Sequence, residues 1–262
     1  MASSIAAAES APKPAPVDVP PGAVAHWQGE NIDRCAIGDR GFAPLAEACW
    51  FPVDLLATGT LEISRRRQGA WERRTLRIVE YPYPVERVEI ADQDKVNPPA
   101  RDLARIEEEQ RRVARLWSLD TPRRFVLPLR APLAELPPGG RFGARRIFNG
   151  EPRSPHSGTD FPAKEGTAVF AAAPGRVVLA EDQFFAGRAV FIDHGDGLIT
   201  MYFHLSRIDV RPGQEVAAGD RLGLVGATGR VSGPHLHFAA RWRGARIDPT
   251  LLLAPAGAAE IR

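Results

Sequence analysis

Five of the six histidines in this 262-residue chain lie between residues 156 and 237, and their spacing is the first feature that reads as chemistry. Four of them stand in His156-Ser-Gly-Thr-Asp160, in Tyr202-Phe-His204 and in His235-Leu-His237. Residues two apart in a strand share a face, so His235 and His237 are expected to project together. Two imidazoles on one face, joined by a histidine and a carboxylate from a separate segment, offer nitrogen and oxygen donors suited to zinc. A catalytic zinc takes three protein ligands and keeps one position open, so the five candidate groups exceed what the metal needs. Peptide hydrolysis by zinc also calls for a base to deprotonate water and a donor for the oxyanion or the leaving amine. No HExxH segment supplies a glutamate base, so two histidines are left for that work; spacing alone does not say which.

The elements that must carry these groups fall into a recognisable order. Residues 1–21 hold Pro12, Pro14, Pro16, Pro20 and Pro21 among alanines, a composition that stays extended and reads as a tether. Residues 22–96 show short alternating segments, such as Leu76–Tyr81 and Val88–Ile90, separated by Gly, Pro and Asp, which predicts a small β-sandwich. After Asn97-Pro98-Pro99, Leu103, Ile106, Val113 and Trp117 recur at helical spacing, with Glu107/Arg111 and Glu108/Arg112 set for i,i+4 pairing. A connecting helix within 97–120 follows, ending near Leu119 ahead of Pro122. Residues 121–253 carry crowded β signals, with Asp193-His-Gly-Asp-Gly as a turn between two strands, and 254–262 reads as a tail. The expected fold class is mainly β: a sandwich, a helix and a C-terminal antiparallel β domain.

Composition narrows the classes further. A formal charge of +2 gives no reason to expect a nucleic-acid partner, and Arg65-Arg66-Arg67 and Arg73-Arg74 read as solvated strand ends. No apolar run approaches the ~18 residues that span a bilayer. The first residues lack the basic and apolar regions of a secretory leader, so any export signal is expected to be absent or already removed. Cys35 and Cys49 are the only cysteines; a bridge closing their ~15-residue loop would stabilise by about 3 kcal/mol and would imply an oxidising compartment.

The strings Phe142-Gly-Ala-Arg-Arg, Pro155-His-Ser-Gly-Thr-Asp, Ala173-Pro-Gly-Arg-Val-Val, Tyr202-Phe-His-Leu and Gly233-Pro-His-Leu-His-Phe resemble, in order, the LytM/lysostaphin-type peptidoglycan endopeptidases. The resemblance covers roughly residues 125–253, half the chain. It implies one zinc per chain on His156, Asp160 and His237, and catalytic roles for His204 and His235. It implies as substrate the stem peptides and cross-bridges of peptidoglycan, with the D-alanyl–diaminopimelate bond favoured by the sandwich-plus-helix layout, and a periplasmic or otherwise extracytoplasmic location. Gram-negative relatives place an immunoglobulin-like β domain and a helix before the peptidase, which agrees in kind with residues 22–119. Protein regulators of the cell envelope are further partners of that setting. One departure is Ala239, where relatives often carry an acid after His-Leu-His-Phe.

Other residues have plainer readings. His26 and His194 are expected to be structural, Tyr202 to pack, Gly158, Gly229 and Gly233 to make turns that aim ligands, and Glu165 to sit in a surface turn. Two rival functions differ in class. A LytM-type scaffold that activates another hydrolase has no need of a complete ligand set with two spare bases. A biotinyl or lipoyl carrier needs a lysine at a hairpin tip, and no lysine follows Lys164.

Overall fold

The computed structural model describes residues 14–253 and 259–261. Two sheets face one another in the N-terminal part. One runs in the order Val17–Val19, Ala70–Ile78, Gly59–Arg67, Ile32–Ile37, Arg40–Phe42, and the other pairs Val24–Gln28 with Ala48–Pro52. Alternate residues turn inward from both, so that Ile63, Leu76 and Cys35 meet Ala25, Trp27, Cys49 and Phe51 in one apolar core. A Cys35–Cys49 disulfide with Cα atoms 5.6 Å apart ties the two sheets together.

Several segments differ from the expected boundaries. Of the expected tether, residues 1–13 lie outside the described residues, while Val17–Val19 forms an edge strand parallel to Leu76–Ile78. Val19 reaches the core and Asp18 pairs with Arg77 at 2.6 Å, while the flanking prolines suit an edge position. The expected sandwich strand at Val88–Ile90 is instead Val85–Val88, outside the sandwich, because Tyr81-Pro-Tyr-Pro84 breaks the chain ahead of it. That strand runs parallel to Arg145–Phe148, close to the histidines. In the expected tail, residues 254–258 lie outside the described residues, but Ala259–Glu260 adds a parallel strand beside Val24–Gln28 and buries Ile261 in the sandwich. Nor are the arginine runs simply solvated: Arg65 is buried over the Trp27 ring at 4.1 Å and paired to Glu72 at 2.6 Å.

The helix spans Ala100–Leu116, and Ile106, Val113, Leu116 and Trp117 make its apolar stripe, whereas Leu103 is exposed. Arg105 pairs with Asp182 and Arg112 with Glu181, and Glu109 accepts the Phe184 N–H at 2.9 Å, so the helix lies on the sheet it precedes. More than a connector, it covers one sheet face.

That C-terminal sheet is nine-stranded, with a central order Thr159–Pro162, His235–Trp242, Leu198–Ile208, Gly187–Asp193, Gly175–Gln183, every pairing antiparallel. Leu236, Phe238, Ala240 and Trp242 point into the main core with Tyr202, Val190 and Ile192. The opposite parity, His235, His237 and Ala239, lies on the face covered farther along by the helix. Ala239 packs there beside Met201, so an acid at this position would be buried among apolar groups. Val24, Leu45, Ala48 and Trp50 of the sandwich also enter the main core, which is therefore continuous across both parts of the chain.

Candidate active site

Asp160 and His237 are direct cross-strand partners, which brings the HxxxD segment against the HxH strand. His237 Nδ1 lies 2.9 Å from Asp160 Oδ1 and 2.9 Å from His156 Nε2, and His156 Nε2 lies 3.1 Å from the same oxygen. One donor atom from each of the three residues falls within 4.8 Å of the others. Asp160 divides its oxygens: Oδ2 accepts from Arg146 at 2.9 Å, leaving Oδ1 turned to the histidines.

Each histidine is aimed by a specific device. The His156 backbone pairs with Gly143 and Ala144, and its Nδ1 donates to the Arg141 carbonyl at 2.9 Å, leaving Nε2 bare in the neutral ring. Phe203 stacks on the His237 ring with centroids 5.1 Å apart and planes 5° from parallel. Gly158 runs so close to that ring that a Cβ there would lie 2.5 Å from His237 Nε2. His204 depends on a β-bulge: Val190 pairs with Tyr202 but Arg188 with Leu205, so the central strand gains one residue. His204 takes φ +65°, and the bulge lets Tyr202 and Leu205 both point into the core while Phe203 and His204 both reach the histidine cluster. Its Nδ1 donates to the Thr228 carbonyl at 2.9 Å. His235 Nδ1 likewise donates to the Gly233 carbonyl at 2.9 Å, while Nε2 stands 3.5 Å from Asp160 Oδ1.

Burial lowers the pKa of all four imidazoles, His204 most strongly, where the neighbouring His237 and His235 add to the effect. Burial alone would raise the Asp160 carboxyl, but the close approach of His156 and His237 overcomes it and holds the group well below the usual carboxylate range. Neutral imidazole lone pairs and an ionised carboxylate oxygen thus converge at about 3 Å, an acceptor-rich set whose natural complement is a cation. The donor set fits a divalent metal of the zinc type.

All five residues singled out from the sequence are therefore brought into one cluster. His204 and His235 have ring centroids 5.0 Å apart and, with Asp160, line a cleft of about 440 Å³. Glu86, Val88, Arg141, Arg146, Phe148 and Arg230 form its other walls. Glu86 accepts from Arg146 at 3.3 Å and from Arg141 at 2.7 Å, so it stands behind the arginine that holds Asp160. Arg146 lies in the Phe142-Gly-Ala-Arg-Arg string and could have been singled out there, whereas nothing in sequence pointed to Glu86 or Phe203. Tyr202 is buried, its hydroxyl receiving the Ala172 N–H and the Thr200 hydroxyl, so it serves packing. His194 is equally buried, its Nδ1 donating to the Pro174 carbonyl. His26 stacks on Trp50 in the sandwich.

The profile of peptidase family M23 matches residues 154–249, which enclose the five residues. A solved structure from Pseudomonas aeruginosa, assigned to peptidase M23, is 30% identical, covers 89% of this chain and 94% of its own, and superposes with a TM-score of 0.66. The chain belongs to peptidase family M23. That likeness extends beyond the matched M23 segment to the sandwich and helix. Among curated relatives, the peptidoglycan DD-endopeptidase ShyA of Vibrio cholerae is 44% identical over 108 residues, covering 41% of this chain and 25% of ShyA. The DD-carboxypeptidase/endopeptidase Mpg of Neisseria meningitidis is 40% identical over 100 residues, covering 38% of this chain and 23% of Mpg. This M23 chain thus spans about a quarter of the length of those relatives.

Proposed function

We propose that this M23 chain is a zinc-dependent endopeptidase that hydrolyses the peptide cross-links of bacterial peptidoglycan outside the cytoplasm, with the D-alanyl–diaminopimelate bond as its target. One zinc is held by His156, Asp160 and His237, and His204 and His235 are the catalytic histidines. The observation that carries this reading is the convergence of two imidazole nitrogens and one carboxylate oxygen beside two further histidines on the wall of an open cleft. The ShyA and Mpg likenesses support the choice of substrate.

Zinc bound there supplies Lewis-acid polarisation of a carbonyl and a water of lowered pKa. The chain's own residues do the rest. His204 and His235 each commit Nδ1–H to a backbone carbonyl, so both present Nε2 to the cleft as proton acceptors. Burial keeps both rings neutral at rest, which suits them to take up a proton and then to donate it to an oxyanion or a leaving amine. Arg146 fixes Asp160 by its outer oxygen, and Phe203 fixes the His237 plane, so neither group must reorganise when substrate arrives.

Metal analysis of the purified protein is expected to find about one zinc per chain, and His156→Ala or Asp160→Ala is expected to abolish both metal retention and cleavage of cross-linked muropeptides. His235→Ala is expected to keep the metal and lose turnover, since it removes a proton acceptor and leaves the three ligands. Full cleavage by the metal-free variants would reject the site.

A further inference from the structure

Arg230 is a cleft cation without an anion. It follows Gly229 in the turn that leads to the HxH strand, and it lines the cleft with Asp160, His204 and His235. The other arginines nearby are committed: Arg141 to Glu86 at 2.7 Å, Arg146 to Asp160 at 2.9 Å, and Arg153 to Glu151 at 2.6 Å. Among the described residues, no carboxylate pairs with Arg230.

Its guanidinium is nonetheless held in place. Cζ lies 4.4 Å from the Phe185 ring centroid and 4.8 Å from that of Phe148. Among the described residues no acceptor takes a hydrogen bond from the guanidinium, so its N–H groups are available for in-plane, two-point hydrogen bonding, the geometry that suits a carboxylate. Burial, followed by the charges of Arg146 and Arg153, pulls its pKa down to about 10, so the group is still a cation and lacks compensation in the free protein. A half-buried charge of this kind is costly unless something pairs with it, and the open side of this one is the cleft.

We propose that Arg230 is the specificity-determining anchor for a free carboxylate that the substrate carries close to its scissile amide. The inference rests on the endopeptidase reading of the same cleft and narrows it: the preferred peptide is anionic next to the bond that is cut, and its amidated counterpart is a poor ligand.

The test uses two cross-linked muropeptides identical except that the carboxylate beside the scissile bond is free in one and a carboxamide in the other. Wild-type enzyme is expected to favour the acid by about 10- to 100-fold in kcat/KM, the range that a charge-assisted two-point contact supports. In Arg230→Gln the ratio is expected to fall close to one with zinc content unchanged, and in Arg230→Lys to recover in part, because a point charge keeps the attraction without the fork. A wild type that does not discriminate, or an Arg230→Gln enzyme that discriminates as well as wild type, overturns the proposal. Should wild type cut neither peptide, the endopeptidase reading fails by itself. The same pair is then compared by calorimetric binding: tighter binding of the acid, lost in Arg230→Gln, upholds the anchor, and equal binding overturns it.

Discussion

Individual residues in this site are constrained from two sides, by what they offer the cleft and by what the backbone must do to let them offer it. His204 adopts a left-handed conformation that costs an ordinary side chain on the order of 1 kcal/mol or more, and it does so inside a strand, held by its N–H bond to the Ala186 carbonyl. Gly158 shows the complementary constraint. A methyl group there would approach His237 Nε2 to 2.5 Å and the Phe238 carbonyl oxygen to 2.8 Å. Since the Phe238 carbonyl belongs to a central strand, the imidazole is the partner that must yield. Gly158→Ala is therefore expected to weaken zinc binding by about 10- to 100-fold, the usual effect of disturbing a ligand's support. Competition against a chelator measures it, and unchanged affinity would show that His237 is not a ligand or that the ring moves freely.

At the scale of elements, the HxH strand was legible because period two needs no partner to be read, and the structure keeps His235 and His237 on one face. The orientation of His204 was not legible: simple alternation after Tyr202 and Phe203 puts it on the core face, and only the mismatched pairing with Gly187–Asp193 turns it out. Parallel pairing between Val85–Val88 and Arg145–Phe148 also left no trace in sequence, because parallel partners need no tight turn between them. The sandwich was legible from alternation, and the two cysteines fall on its facing sheets, Cys35 in Ile32–Ile37 and Cys49 in Ala48–Pro52. Their bridge closes a separation of 14 residues, so replacing both by alanine is expected to lower stability by about 3 kcal/mol in a denaturant titration. Zinc affinity should change little, since the disulfide lies in the sandwich core and not against the HxxxD turn. A joint loss of both would mean that sandwich and site unfold as one unit.

Over the whole molecule, the parts are less separate than a reading of linkers implies. Trp50 of the sandwich packs into the same core as Trp242 behind the HxH strand, and Asp54 pairs with Arg246 at 2.6 Å. The likeness to the Pseudomonas aeruginosa structure takes in 89% of this chain, and so sandwich, helix and C-terminal sheet together. The route from the N-terminal half to the proposed metal ligands is short and electrostatic: Glu86 neutralises Arg146, and Arg146 holds Asp160. With Glu86 present, the Arg146 charge is shared between two carboxylates. Without it, Asp160 alone must balance that cation, which draws electron density from the carboxylate whose Oδ1 a metal would use. Glu86→Gln is therefore expected to lower zinc affinity by about 10-fold although Glu86 lies 60 residues before Arg146 in sequence. Glu89→Gln, an exposed carboxylate just beyond the same strand, serves as the comparison. Chelator competition on both variants decides the matter: equal affinities would leave Glu86 with a purely local role in the three-stranded sheet, whereas a selective loss in Glu86→Gln makes the N-terminal segment a determinant of how tightly the centre holds its metal.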